Sequence, residues 1–164
     1  MAHAPTDTPN IWAAAAAGLV AGLAASFVMD RFQAGVAALS SSESDAEPAT
    51  QKAADKVSQA VVGHEIPKDS KPLAGQVVHY ALGAGLGVAY AVAAEYRPSV
   101  TAGYGTAFAA ATTTLLDEAA VPAVGLGEAP WKTSPTTHLY SAASHIVFGT
   151  VTEGVRRLLR GWMK

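Results

Sequence analysis

Cysteine is absent from the 164 residues, which removes disulfides, thiolate metal ligands and thiol chemistry, and leaves the redox compartment open. Charge is sparse and unevenly placed. Residues 31–71 and 156–164 hold nine of the eleven lysines and arginines, and the stretches between are almost free of them. The overall balance of −2 offers no polybasic face, so nucleic acid is not an expected partner. Also missing are GxSxG, HExxH and a phosphate-binding loop, so no nucleophile with a positioned base is in sight and no enzyme is expected. What the chain does have is apolar residues, half of the total, in a length that suits one domain.

Those residues gather into four stretches of membrane-spanning length, about 11–38, 73–95, 100–121 and 136–160. Lipid offers no hydrogen bonds to the backbone, so each stretch is expected to be helical. The expected fold is all-α: an integral membrane four-helix antiparallel bundle spanning residues 11–164, behind a flexible leader at 1–10. The first stretch, IWAAAAAGLVAGLAASFVM, carries no charge. A signal peptide competes with this reading, but the leader has no basic start, and Asp30 and Arg31 stand where a small-residue cleavage site is wanted. Residues 40–72 form the long hydrophilic break. Within it QKAADKVSQAVV, introduced by Pro48 and ended by Gly63, predicts a short amphipathic helix at about 49–62 that lies on the membrane surface or caps the bundle.

The apolar stretches are not uniformly greasy. His138, Ser141, His145, Gly149 and Thr152 recur three or four apart and share one helix face. Gln76, His79, Gly83, Gly87 and Tyr90 repeat that spacing on the second stretch. Gly18 and Gly22 form a GxxxG pair that permits close helix approach, and Gly83, Gly87 and Gly149 are further candidate packing positions. Up-down order places Asp30, His79, Asp117, Glu118 and His138 toward one side of the membrane, with His145 about two turns deeper. Isolated charges in hydrocarbon cost about 3 kcal/mol or more, so these groups are expected to face one another. Such a cluster can relay protons, bind a cation or fix helix packing. No cofactor is predicted outright, although a metal or a haem between facing histidines is compatible with the residue types. Glu153 with Arg156 or Arg157 reads as an interfacial pair.

The segments GLVAGLAASFVMDRFQ, VVHYALGAGLGVAYAVAAEY, LLDEAAVPAVGL and HLYSAASHIVFGTVTEGVRR together resemble the YagU-like bacterial inner-membrane proteins, a family of unknown function. The DE-x-x-VP and H-x6-H-x7-E arrangements are the most specific parts. The resemblance implies a multi-pass protein of the bacterial inner membrane and implies no activity and no catalytic residues. The expected role is therefore a non-enzymatic structural or accessory component of a membrane assembly, with proton or small-ion translocation and metal or haem binding as alternatives. Its expected partners are the lipid bilayer and either copies of itself or a larger membrane complex, joined along the Gly18/Gly22 and Gly83–Gly87 faces. The dense basic cluster after residue 155 favours cytoplasmic termini.

Overall fold

A computed structural model describes residues 10–40 and 47–163. The expected flexible leader, apart from Asn10, and the first part of the hydrophilic break lie outside the described residues. Every regular element among those described is helical. Helix α1 is Ile11–Leu39, α2 Ala49–Val62, α3 Lys71–Tyr96 and α4 Thr106–Thr112. A π-helical stretch, Thr113–Ala120, leads into the short α5, Val121–Ala123, and α6 is Pro135–Trp162.

Local chemistry sets these boundaries. The Asn10 side chain accepts from the Ala13 N–H at the start of α1, and Ser134 does the same for Thr137 at the start of α6, where Pro135 occupies the first turn. Gly63 ends α2 in the left-handed region at φ 85°. The third apolar stretch departs from expectation. Instead of one helix from residue 100, Pro98–Thr101 makes a 3-10 turn, and Gly103, Tyr104 and Gly105 all take positive φ before α4 begins at Thr106. The chain needs that reversal to bring Gly105 against α6.

Helices α1, α3, α4 and α6 pack side by side. Gly18 lies against Gly87 and Gly22 against Gly83, which makes α1 and α3 antiparallel. Tyr90 reaches Glu153, so α6 runs with α3, and Gly105 against Gly149 sets α4 antiparallel to α6. At each glycine pair a Cβ would land on the facing carbonyl oxygen, so the backbones are as close as they can be without side chains between them. Gly18, Gly22, Gly83, Gly87 and Gly149 are thus packing residues, as their spacing suggested. Each of the five meets a neighbouring helix of the same chain. Of the glycines in that run only Gly85 faces open space.

The distribution of residue sizes is inverted relative to a water-soluble helix bundle. Fully buried positions are Ala14, Ala17, Ala21, Ala25, Ser26 and Ala109, with Ser144, Thr152 and Glu153. Leu19, Val20, Leu23, Phe27 and Val28 of α1 point outward, as do Leu82 of α3 and Leu139, Ile146 and Leu158 of α6. Small residues thus line the contacts and large ones cover the outside. Two helical stretches, Ile11–Leu39 and Lys68–Tyr96, are long and apolar enough to cross a membrane.

Helix α2 covers one end of the bundle. Its bounds match the sequence expectation. Gln51 packs on Gly75, and Asp55 accepts the Ile66 N–H at 2.9 Å and pairs with Lys71, which also holds Glu47 at 2.8 Å. The polar side thus docks, and the valines Val57, Val61 and Val62 face out. The hydrogen bond from Lys71, followed by that from Ile66, holds the Asp55 carboxyl below its ordinary value. A depressed carboxylate stabilises the docked state fully above the unfolded-state value of about 3.9, and that stabilisation is lost as pH falls through the lower folded-state value. We expect Asp55→Asn to accelerate amide exchange across residues 49–62 at neutral pH while α3 exchanges as before. Unchanged exchange in α2 would show that the Asp55 clasp does not hold it.

Candidate functional site

The end of the bundle beneath α2 carries the chemistry, and it is shaped by the break from α- to π-helical geometry at Thr113–Ala120. Two features of the sequence account for the break. Thr112 and Thr113 both turn their hydroxyls back onto the Ala109 carbonyl, which opens the helical ladder. Pro122 has no N–H, and in α-helical register its ring would collide with the Glu118 carbonyl four residues earlier. The wider turn relieves that collision, and the Val121 N–H reaches back five residues to Leu116. The result aims both Asp117 and Glu118 at α6.

Those carboxylates meet α6 residue by residue. Glu118 Oε1 lies 2.6 Å from His138 Nδ1, whose other ring nitrogen is 3.0 Å from the Pro130 carbonyl. Both ring nitrogens of His138 therefore face acceptors. Asp117 accepts from the Ser141 hydroxyl and lies 3.6 Å from His145 Nδ1. His145 is buried one turn below, with Nδ1 3.1 Å from the Ser141 carbonyl. A cavity of about 440 Å³ opens beside these residues, bounded further by Glu128, Tyr140 and Ser144.

The six residues expected to form one cluster divide into two groups. Asp30 and His79 pair across α1 and α3 at 3.3 Å, with Gln76 donating to Asp30. Asp117, Glu118, His138 and His145 form the second group between the π-helical stretch and α6. Among the described residues no hydrogen bond or ion pair joins the two, and no three of His, Asp and Glu converge as a metal-ligand set. The division follows from packing: Asp30 spends its hydrogen bonds on α3, whereas Asp117 and Glu118 are turned by the wide helix toward α6.

At the opposite end lies the most buried ion network in the bundle. Glu153, with no exposed surface, accepts from Tyr90 Oη at 2.9 Å, from Arg156 Nε at 2.7 Å and Nη2 at 3.1 Å, and from Arg157. Arg157 also lies 4.8 Å over the Tyr104 ring, and Arg160 clasps Glu95 through two hydrogen bonds of 2.9 and 2.8 Å. The expected interfacial pair is thus a buried ion network reaching into α3. Tyr90 is the member not foreseen in it. The signal was present, since Glu153 follows Gly149 by four residues on the face shared with His138 and His145.

Between the two polar ends an aromatic group fills the interior, with the small hydroxyls of Ser26, Thr112 and Thr152 buried around it. Tyr90 stacks on Phe108 at 4.4 Å between ring centroids, and Phe108 meets Phe148 at 6.1 Å. Phe148 also joins Ala25 and Met29 in the core cluster. The Thr152 hydroxyl, which could have lined a polar passage, is closed onto the Phe148 carbonyl at 2.7 Å.

One family matches residues 63–154, more than half of the chain, and it is described as "Protein of unknown function (DUF1440)". The chain belongs to that family. The DUF1440 match runs from the end of α2 through α3, the π-helical stretch and α6 as far as Gly154. It therefore takes in His79, Asp117, Glu118, His138, His145 and Glu153, and leaves out Asp30, Arg156, Arg157 and Arg160. Neither a search of curated proteins nor one of solved structures gives a match.

Proposed function

We propose that this DUF1440 protein is a four-span integral membrane protein acting without catalysis, as a structural or accessory component of a membrane assembly. The observation that carries the reading is the inverted core: α1, α3 and α6 turn Leu, Val, Ile and Phe outward and hide Ser144, Thr152 and Glu153. In water that arrangement forfeits apolar burial, whereas in lipid it hides the groups that hydrocarbon penalises. α1 and α6, with 29 and 28 residues, are each about 42–44 Å long, enough for a hydrocarbon core of about 30 Å. Trp12, Tyr96, Tyr104 and Trp162 are exposed at the end bearing the start of α1, and Trp131 at the other, where aromatic anchors belong. α6 is too polar to pass as a span by composition, yet its polar residues face its neighbours. The aromatic block of Phe108 and Phe148 separates the two polar ends, which favours a packing role over a continuous proton or ion path.

The location that goes with this reading is the bacterial inner membrane, with YagU-like affinity and cytoplasmic termini. Because the chain has no cysteine, single replacements report topology cleanly. Ser70→Cys and Thr136→Cys are expected to react with an impermeant maleimide on one side of the membrane and Ser99→Cys on the other. Labelling of all three from one side would sink the four-span arrangement. Since the glycine seams are used internally, any assembly must form through the outer faces. Native mass spectrometry that finds only a monomer, in mild detergent and in nanodiscs, would remove the accessory role.

A further inference from the structure

We propose that His138 is a pH-sensitive clasp: as an imidazolium it fastens the turn Pro130–Lys132 to Glu118, and loss of its proton frees that turn and opens one wall of the neighbouring cavity. Hydrogen-bond stereochemistry sets the condition. Nδ1 lies 2.6 Å from Glu118 Oε1 and Nε2 lies 3.0 Å from the Pro130 carbonyl oxygen, and neither a carboxylate nor a carbonyl can donate. A neutral imidazole has one N–H, serves one of the two, and turns a lone pair on the other. Both contacts are satisfied together only when the His138–Glu118 pair holds one further proton.

The charges around the ring favour that proton. Glu118 and Asp117 come from the π-helical stretch, His145 lies beside Asp117 on α6, Glu128 is on the loop, and Glu47, ahead of α2, is held by Lys71. From α1 the cavity receives only Met29, and no lysine or arginine lines it. The His138 and Glu118 side chains are 35% and 27% exposed, so the proton exchanges with water. When it leaves, the remaining N–H stays with Glu118, because a hydrogen bond to a charged acceptor is about twice as strong as one between neutral groups. The Pro130 carbonyl is not orphaned, since it also accepts the Thr133 N–H at 3.1 Å within the turn. Among the described residues no other hydrogen bond and no ion pair joins 127–133 to another element, and Trp131 is 85% exposed. The flanks stay fixed, by Lys56 on the Val124 carbonyl and by the Ser134 cap. Gly127, Glu128, Pro130 and Thr133 line the cavity of about 440 Å³, so its wall moves with the turn. The clasp is closed on the acid side and is lost as pH rises through the point at which the imidazolium gives up its proton.

Because the chain has no cysteine, one nitroxide label at Lys132→Cys reports on the turn in the full chain in detergent. The label is expected to be immobilised at about pH 6 and mobile at about pH 9, which brackets the histidine range. Its ratio of mobile to immobile signal is expected to rise by about tenfold per pH unit at the steepest, as release of one proton requires. Glu118→Gln is expected to keep the turn held at both pH values, because the glutamine amide donates to Nδ1 and the neutral ring then donates to Pro130. His138→Ala is expected to leave it mobile at both. A label at Leu73→Cys on α3 is expected not to respond, which separates release of the turn from unfolding. Equal mobility of the Lys132→Cys label at the two pH values, a transition that survives His138→Ala, release of the turn in Glu118→Gln, or an equal response at Leu73→Cys would overturn the proposal.

Discussion

Replacing Glu153 by alanine is expected to lower stability by about 3–5 kcal/mol, the usual cost of removing one member of a buried ion pair. For a chain of this length that corresponds to a fall of roughly 6–20 °C in melting temperature. The size of the effect comes from what is left behind. Arg156, nearly buried, keeps a guanidinium with no counter-charge, and the Tyr90 hydroxyl loses its acceptor. Arg157 is half exposed and can turn to water, so it contributes less. The combined variant Glu153→Leu, Arg156→Met and Tyr90→Phe should recover most of the loss, because replacing a whole buried network by apolar groups of similar volume is often nearly neutral. A Glu153→Ala protein that melts like the wild type would mean that the network does not hold α6 to α3.

The second large effect is expected at Gly22. A Cβ there meets the Gly83 carbonyl oxygen and comes within 2.9 Å of its carbonyl carbon. Both are backbone atoms, so neither can swing aside, and Gly22→Ala should force α1 and α3 apart. Overpacking of this kind costs about 1–3 kcal/mol. Gly85 supplies the control on the partner helix. It faces open space, so Gly85→Ala should stabilise by about 0.5–1 kcal/mol through helix propensity alone. The decisive reading is the opposite sign of the two changes in melting temperature. Equal small shifts would mean that the α1–α3 contact is looser than the geometry requires.

Helix positions were largely legible in the sequence because apolar runs, prolines and caps act locally. Pro48 and Gly63 mark boundaries that the structure keeps. The glycine pairs were legible as close-approach positions, and periodicity put Gln76, His79, Gly83, Gly87 and Tyr90 on one face. Which helix they would meet was not, since spacing along one helix carries no information about its neighbour. The π-helical stretch escaped for a related reason. Pro122 does more than interrupt a helix locally: together with the threonine hydroxyls at 112 and 113 it widens the preceding turns and re-aims Asp117 and Glu118. That turn of the wheel decides which carboxylates meet α6, and so divides a cluster that depth alone had united. How α2 docks was not legible, because the Asp55–Lys71 pair that fastens it joins residues sixteen apart and leaves no local pattern.

On the proposed four-span reading, the placement of Glu153 with its arginines bears on how α6 would enter a bilayer. Arg156 and Arg157 are three and four residues further along the same helix, so the Glu153 carboxylate has its counter-charges on α6 itself. Tyr90 belongs to α3, which is synthesised earlier, and its hydroxyl becomes available only once α3 is in place. On the proposed four-span reading, α6 would then arrive late at a slot whose remaining donor is already in place. Loss of that donor would be felt as a delay in membrane integration, with the segment lingering at the headgroups, even where the finished protein tolerates the change.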